Sequence, residues 1–157
     1  MCGIAGYSGA FEPGLLAGMS AAIAHRGPDA EGAFRDADAG IGLAHRRLAI
    51  VDLSSAGSQP MRDDAGRVVL VFNGEIYNFR ELRDELIAGG YRFRGHSDTE
   101  VLLNLYLRDG PELLSRLNGI FTFAIWDTET RRMFLARDHL GVKPLYHTTT
   151  PRGFLFA

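Results

Sequence analysis

Several features that would mark a secreted, membrane or nucleic-acid-binding protein are missing from this sequence of 157 residues. It contains one cysteine, which excludes an internal disulfide. No apolar run is long enough for a signal peptide or a transmembrane helix. The 17 Lys and Arg residues against 19 Asp and Glu give a net charge of -2, a balance that does not suggest a nucleic-acid or membrane surface. We therefore predict one cytoplasmic domain with no nucleic-acid or membrane partner.

The common signatures of cofactor sites are also missing. The sequence has no G-x-G-x-x-G or G-x-x-x-x-G-K-[ST] run for phosphates and no H-E-x-x-H run for zinc. Its five histidines are scattered without metal-ligand spacing, either among themselves or with the cysteine. We expect no metal and no cofactor in this domain, and we interpret the histidines as ordinary residues of the surface or the edge of the core.

The single cysteine, Cys2, stands directly behind the initiator methionine. Removal of Met1 would place a thiol and a free α-amine on the same residue. An unperturbed α-amine has a pKa of about 7.7–8.0 and a thiol about 8.5, so the two can exchange a proton near neutral pH. Cys2 is therefore a candidate nucleophile with its own base. The alternative is a small buried apolar residue without chemistry.

The first third of the chain predicts a short strand over residues 1–7, a helix over 13–24 and strand over 31–52. The helix ends in the Gly27-Pro28 loop, for which a plain helix stop is the simpler interpretation. Arg46 and Arg47 interrupt the apolar pattern of the second half of the strand. Each either faces solvent or grips an anion in a pocket.

A continuous apolar strand over residues 68–72 follows and is suited to burial on both faces. It runs into Asn73 and Gly74. This pair is most often a turn, but at the end of a buried strand it also offers an amide side chain and a backbone N–H, the two donors of an oxyanion hole. Asn78 and Glu81 then predict a capping box for the next helix.

The rest of the pattern is rich in strands with helices inserted. A helix opens at Ser97 or Asp98, either of which is a good N-cap. The other predicted elements are a strand over 91–94, a short helix over 112–117, and strands over 120–127, 133–137, 145–147 and 154–156.

Six ordered stretches around Cys2 together resemble one known family, the class II glutamine amidotransferase domain of glutamine-hydrolysing asparagine synthetases. The stretches are Met1-Cys2-Gly3-Ile4-Ala5-Gly6, His25-Arg26-Gly27-Pro28-Asp29, His45-Arg46-Arg47-Leu48-Ala49-Ile50-Val51-Asp52, Phe72-Asn73-Gly74-Glu75-Ile76-Tyr77-Asn78, Ser97-Asp98-Thr99-Glu100 and Arg137-Asp138-His139-Leu140-Gly141-Val142-Lys143-Pro144-Leu145-Tyr146. The resemblance spans the whole chain and implies that residues 1–157 form an α+β N-terminal-nucleophile hydrolase, a four-layer αββα sandwich of two antiparallel sheets.

The resemblance also implies a reaction and roles for particular residues. Cys2 would attack the side-chain amide of glutamine and release ammonia, with its own α-amine as base and then acid. Asn73 and Gly74 would stabilise the oxyanion, and Arg47 would bind the substrate carboxylate, which leaves Arg46 facing solvent. The remaining predicted substrate-binding residues are the acids Glu75 and Asp98, at the ammonium end, and the pocket wall formed by Leu48, Ala49, Ile50 and Val51. The 25–29 loop would lie near the site.

Members of this family continue beyond residue 157 into an ATP-dependent synthetase domain that uses ATP and Mg. We therefore expect this chain to be a fragment of a longer synthetase or a separate glutaminase subunit, with the fragment favoured. Its expected partners are glutamine and a synthetase domain in cis or in trans, and a homodimer is one assembly that the resemblance allows. The resemblance implies that the ammonia serves the ATP-dependent conversion of aspartate to asparagine in that domain. Two alternatives stay open: a glutaminase domain that serves an acceptor other than aspartate, and an inactive ligand-binding or structural module.

Overall fold

The computed structural model describes residues 1–50 and 54–157, and the strands within these ranges form two antiparallel sheets. The first sheet has the order β2-β3-β1-β9-β8 and the second the order β4-β5-β6-β7. The strands are β1 (Gly3–Gly9), β2 (Ala30–Asp36), β3 (Ile41–Arg47), β4 (Met61–Arg62), β5 (Val68–Ile76), β6 (Gly119–Asp127), β7 (Arg132–Arg137), β8 (His147–Thr150) and β9 (Gly153–Phe156).

Helices cover the outer face of each sheet. Helix α1 (Leu15–Ala22) packs on β1 and β3, whereas α2 (Phe79–Ala88) and α3 (Asp98–Asp109) lie over the second sheet. The described 3₁₀ turns are Ala24–Arg26, Ser55–Gly57 and Gly110–Arg116. The four layers predicted above are confirmed. No helix in the described ranges is both long and apolar enough to cross a membrane.

Strand β5 joins the two cores of the sandwich because both of its faces are apolar. Val69 and Val71 pack between the sheets, where Leu43 and Trp126 also lie. The alternate residues Val68, Leu70 and Phe72 face α2 and α3. All five residues from 68 to 72 are buried, which confirms the prediction of a strand buried on both faces.

Several local predictions are corrected by tertiary contacts. The predicted strand over 91–94 is absent. The N–H groups of Arg94 and Gly95 donate hydrogen bonds to the carboxylate of Glu100 and not to a neighbouring strand. Asn78 does not cap α2 with its side chain. Its amide is occupied in bonds to Arg116 O and Asn118 N–H, and these bonds tie the start of α2 to the start of β6.

Other predicted elements exist with different bounds. The strand predicted over 31–52 is a hairpin, β2 and β3, and the chain leaves the sheet after Arg47. Residues 51–53, which include the predicted wall residue Val51, lie outside the described residues. The helix predicted over 13–24 is shortened to α1 followed by a 3₁₀ turn, and the one predicted over 112–117 is the 3₁₀ turn Gly110–Arg116. Strand β8 begins at His147, where the predicted strand over 145–147 was expected to end.

Candidate active site

The predicted nucleophile lies where β1 begins and β3 ends. Antiparallel pairing of the two strands places Gly3 opposite Arg46, so Cys2 comes beside the residues that follow β3. The Cys2 Sγ accepts the Leu48 N–H at 3.4 Å and lies 3.6 Å from Leu48 O, to which its S–H can donate. The backbone of Leu48 therefore holds the thiol at the edge of the first sheet.

The loop that follows α1 contacts both Cys2 and the residues after β3. Arg26 Nε donates to Cys2 O at 3.1 Å. Three residues later, Asp29 donates its N–H to Arg47 O at 3.0 Å and accepts the Ala49 N–H at 2.9 Å. A Cβ on Gly27 would lie 2.4 Å from Arg46 O, so only glycine lets the loop approach β3 this closely. The segment interpreted most simply as a helix stop thus positions both Cys2 and the chain after β3.

The two adjacent arginines of β3 point to opposite faces, as strand geometry requires. Arg47 lines the pocket beside Cys2 and donates from Nη1 to Ser54 O at 3.0 Å. Arg46 was predicted to face solvent, and that prediction is wrong. Its side chain is only 19% exposed, because it donates to Ser20 O and Oγ on α1 and pairs with Glu31 at 2.6 Å.

Asn73 and Gly74 lie inside β5 and not at a turn. Both are paired with β6, Asn73 opposite Thr122 and Gly74 opposite Phe121. A Cβ on Gly74 would come 2.3 Å from Ile120 O, so glycine is required here by the close approach of β6. The turn interpretation of this pair is therefore wrong.

The other edge of β5 is open at the same place. Strand β4 pairs only with Val69 and Leu70, and among the described residues no strand lies beside the later part of β5 on that side. Side chains accept hydrogen bonds from the backbone there: the Phe72 N–H donates to Gln59 Oε1 at 2.6 Å and the Ile76 N–H to Asp98 Oδ2 at 3.1 Å. Because backbone directions alternate along a strand, the Gly74 N–H points to this same edge, between the other two.

These elements enclose one pocket, which opens between the two sheets. Its volume is about 90 Å³, several times the roughly 10–15 Å³ that a cavity needs to hold one water, so it has room for a small molecule. Of the predicted site residues, the pocket is lined by Cys2, Arg47, Leu48, Ile50, Asn73, Gly74, Glu75 and Asp98. Ala49 does not line this pocket, and its N–H donates to Asp29.

The charged groups of the pocket have both signs. Arg47 and Lys143 supply positive charge, and Glu75 and Asp98 supply negative charge. Asp98 is the first residue of α3 and is almost fully buried. Burial raises the pKa of its carboxyl, and the Ile76 N–H opposes that rise. A pocket with this arrangement can bind a small zwitterion beside a thiol.

Comparison with known proteins decides the family. The model of the family described as "Glutamine amidotransferase domain" matches residues 1–157. The chain belongs to this family.

The curated relatives of the amidotransferase domain include asparagine synthetases. Asparagine synthetase [glutamine-hydrolyzing] 1 of Bacillus subtilis is 46% identical over 91% of this chain and 22% of its own length. Asparagine synthetase B [glutamine-hydrolyzing] of Escherichia coli is 44% identical over 88% of this chain and 24% of its own length. Amidase chry2 of Gibberella zeae is 41% identical over 86% and 20%. The chain thus spans about a fifth to a quarter of the relatives it matches.

A solved structure confirms the fold. The glutamine phosphoribosylpyrophosphate amidotransferase of B. subtilis superposes with a TM-score of 0.82 over 99% of this chain and 41% of its own, at 22% identity. The amidotransferase domain therefore has the N-terminal-nucleophile hydrolase fold that the sequence resemblance implied.

Several residues around the pocket of the amidotransferase domain carried no individual signal in the sequence. Lys143 is 8% exposed, and its Nζ lies 3.1 Å from Met1 Sδ. Its loop is organised by Asp138, whose carboxylate accepts the N–H groups of Phe121, Leu140, Val142 and Lys143. Burial acts to raise the pKa of Asp138, but these four donors outweigh it and lower the pKa. The sequence predicts a loop over residues 138–144, which contain Gly141 and Pro144, but it gives no sign that the loop lies beside Met1.

Proposed function

We propose that this domain hydrolyses glutamine to glutamate and ammonia through a thioester on Cys2. The observation that carries the proposal is the arrangement of the Cys2 thiol and the unpaired edge of β5 on one pocket. A thiol that shares a pocket with a backbone N–H on the open edge of a strand matches the needs of acyl transfer, in which a nucleophile forms a tetrahedral intermediate and donors stabilise its oxyanion.

In the proposed reaction the Cys2 sulfur attacks the δ-carbon of glutamine while the α-amine of Cys2 takes the thiol proton. A C–S bond forms, and the carbonyl oxygen becomes an oxyanion between the Asn73 side chain and the Gly74 N–H. Collapse of this intermediate breaks the C–N bond, and the α-ammonium protonates the departing ammonia. Water then adds to the thioester and gives a proton to the amine. The C–S bond breaks and releases glutamate, and the α-ammonium returns its proton to the Cys2 sulfur.

The charges of the pocket support recognition of free glutamine. Arg47 would bind the α-carboxylate, since its guanidinium can make two parallel hydrogen bonds to a carboxylate. Asp98 and Glu75 would bind the α-ammonium, and Leu48 and Ile50 would contact the aliphatic part of the substrate. The two ends of the zwitterion would then orient the side-chain amide toward Cys2.

The mechanism needs a free amine on Cys2, and in the described chain that nitrogen belongs to the Met1–Cys2 peptide bond. Met1 is 56% exposed and lies on the pocket wall. Its removal would free the amine and also take away the sulfur that Lys143 contacts. We propose that the active form begins at Cys2.

The names of the relatives support asparagine formation as the use of the ammonia. We propose that this chain is the type 2 amidotransferase unit of a longer cytoplasmic synthetase or a subunit that joins one, and that ATP and Mg act in that further domain to convert aspartate to asparagine. A homodimer is proposed as one assembly. A second candidate is a glutaminase domain that serves another acceptor, because a relative whose name is not that of an asparagine synthetase, Amidase chry2, shares this domain. An inactive module is the third, and the test below addresses it.

Trapping the covalent intermediate tests the proposed function. The full chain would be mixed with glutamine, quenched in acid and analysed by intact mass, and glutamate release would be followed in parallel. We expect a glutamyl adduct on Cys2 in the wild type and neither adduct nor glutamate with Cys2→Ala. Cys2→Ala should still bind glutamine in calorimetry, which serves as the control for folding. Glutamate release by Cys2→Ala, or none by the wild type beginning at Cys2, would rule out the thioester mechanism.

A further inference from the structure

The peptide groups on either side of Phe72 are held by two side chains that come from outside the second sheet. Gln59 Oε1 accepts the Phe72 N–H at 2.6 Å, and His45 Nε2 lies 3.2 Å from Phe72 O. The Phe72 carbonyl and the Asn73 N–H belong to the same planar peptide group. The contact from His45 therefore restrains the peptide group that leads into Asn73, on the side opposite to the pairing of Asn73 with β6.

His45 reaches this peptide from the opposite sheet. It lies on β3 opposite Ile4, is 1% exposed, and does not line the pocket. A carbonyl oxygen can only accept, so Nε2 must carry the hydrogen. Burial lowers the pKa of His45 to about 4, with Arg47 adding a smaller effect in the same direction and the Phe72 bond opposing it. The ring is therefore neutral at physiological pH, and Nδ1 has no hydrogen-bond partner among the described residues.

The open edge of β5 explains why such a contact matters. Strand pairing holds Val69 and Leu70 on both sides, but in the part of the chain that the structure describes Asn73 and Gly74 pair with β6 alone. A one-sided strand end can twist, and donors for an oxyanion must be held within about 0.5 Å and 10–20° of their working geometry. Side chains would have to supply on this edge the restraint that a neighbouring strand supplies elsewhere.

We propose that His45 is a positioning residue: by donating to the Phe72 carbonyl, together with Gln59 on the Phe72 N–H, it sets the orientation of Asn73 and Gly74 toward the substrate oxygen. This inference rests on the proposed function, since it gives His45 a role only through the oxyanion donors. His45 touches no substrate. It acts on the transition state and not on the binding of the two charged ends of glutamine, which contact other residues.

Steady-state glutaminase kinetics on His45 variants of the full chain test the inference. His45→Leu and His45→Phe remove the donor, while His45→Gln can place an amide N–H near the position of Nε2. We expect each donor-free variant to lower kcat by about 10–100-fold, the scale of a misplacement of the order of 1 Å, with KM for glutamine changed by less than about threefold. His45→Gln should recover most of kcat.

The matched control is Leu43→Ala, which perturbs the same face of β3 two residues earlier and contacts no part of the pocket. It should be destabilised and yet keep kcat. A donor-free His45 variant that behaves like Leu43→Ala would show that His45 only fills the core, which overturns the inference.

Combination with Asn73→Ala separates the inference from the proposed function. If His45 acts through the oxyanion donors, the donor-free change should cost little more in the Asn73→Ala background than Asn73→Ala does alone. Full additivity would overturn the positioning role. If Asn73→Ala itself leaves kcat intact, the proposed oxyanion hole fails. That result differs both from the small additional effect expected for positioning and from full additivity.

Nuclear magnetic resonance of the wild-type protein tests the same contact without depending on whether a variant folds. Nitrogen chemical shifts of the His45 ring should show a hydrogen on Nε2 and a bare Nδ1 from pH 8 to pH 5. A hydrogen on Nδ1 instead would break the contact to Phe72 O and overturn the inference.

Discussion

Acidification should destabilise the fold through His45. In the folded protein the pKa of His45 is lowered to about 4 by burial, whereas an unfolded histidine has a pKa near 6.5. Between these values the unfolded chain binds a proton that the folded chain does not. The free energy of unfolding must therefore fall as the pH falls from about 6.5 toward 4, and this contribution is absent above pH 7.

The size of the effect follows from the two pKa values. A pH of 5 lies about one and a half units below the pKa of the unfolded histidine, which is then almost fully protonated, while the folded histidine is still mostly neutral. At about 1.36 kcal/mol per unit the loss relative to pH 7.5 is about 2 kcal/mol. With a urea dependence of about 2 kcal/mol per molar, the midpoint of unfolding should move down by about 1 M.

Urea titrations at pH 7.5, 6 and 5, followed by the fluorescence of Trp126, would measure this. Trp126 is the one tryptophan of the chain and is buried between the sheets, so its emission reports global unfolding. His45→Gln is the reference because glutamine does not titrate. Its stability should fall by about 2 kcal/mol less than that of the wild type between pH 7.5 and pH 5.

The comparison removes the effects of other groups. The raised pKa of Asp98 changes stability in the opposite sense at the acidic end of this window, but it does so in both proteins. Equal pH dependence of wild type and His45→Gln would show that His45 is not a buried neutral ring, and the reasoning about its contact with Phe72 would fail with it.

Three further predictions concern the proposed reaction. Arg47→Ala should mainly raise KM for glutamine, because the substrate carboxylate is charged equally in the ground and transition states. Asn73→Ala should instead lower kcat by about 10²–10³-fold with a much smaller change in KM. The reverse pattern in steady-state kinetics would exchange their roles. Intact-mass analysis of active protein should find Cys2 at the N-terminus, and quantitative retention of Met1 in active protein would contradict the amine-base mechanism. KM for glutamine should rise as the pH falls through the raised pKa of Asp98, because protonation removes the anion that binds the substrate ammonium, and Asp98→Asn should show a high KM without this pH dependence.

Local sequence signals were sufficient wherever burial alone decides the structure. The apolar run from Val68 to Phe72 predicted a doubly buried strand, and that strand forms because every side chain in it finds an apolar layer on its own side. The Ser97 N-cap of α3 was also recognisable, because capping needs only the Glu100 N–H three residues away.

Signals failed where a polar side chain chooses between local and distant partners. Asn78 has the right identity and spacing for a capping box. Its side-chain amide instead bonds to the backbone of Arg116 and Asn118, which lie 38 and 40 residues further along the chain. Arg46 could not be distinguished from Arg47 as a buried or exposed arginine, because its partners Ser20 and Glu31 lie on other elements.

The sequence by itself determined the family, the layered αββα fold and the set of residues to examine, because ordered motifs and apolar periodicity are properties of the chain. Only the tertiary structure decided how the site is held: Arg26 on the Cys2 carbonyl, His45 and Gln59 on the peptide groups of Phe72, and Asp98 on Ile76. Each of these contacts joins residues 13 to 27 positions apart. Such contacts depend on the packing of one sheet on the other and on the edge that β4 leaves open, and no local pattern encodes either.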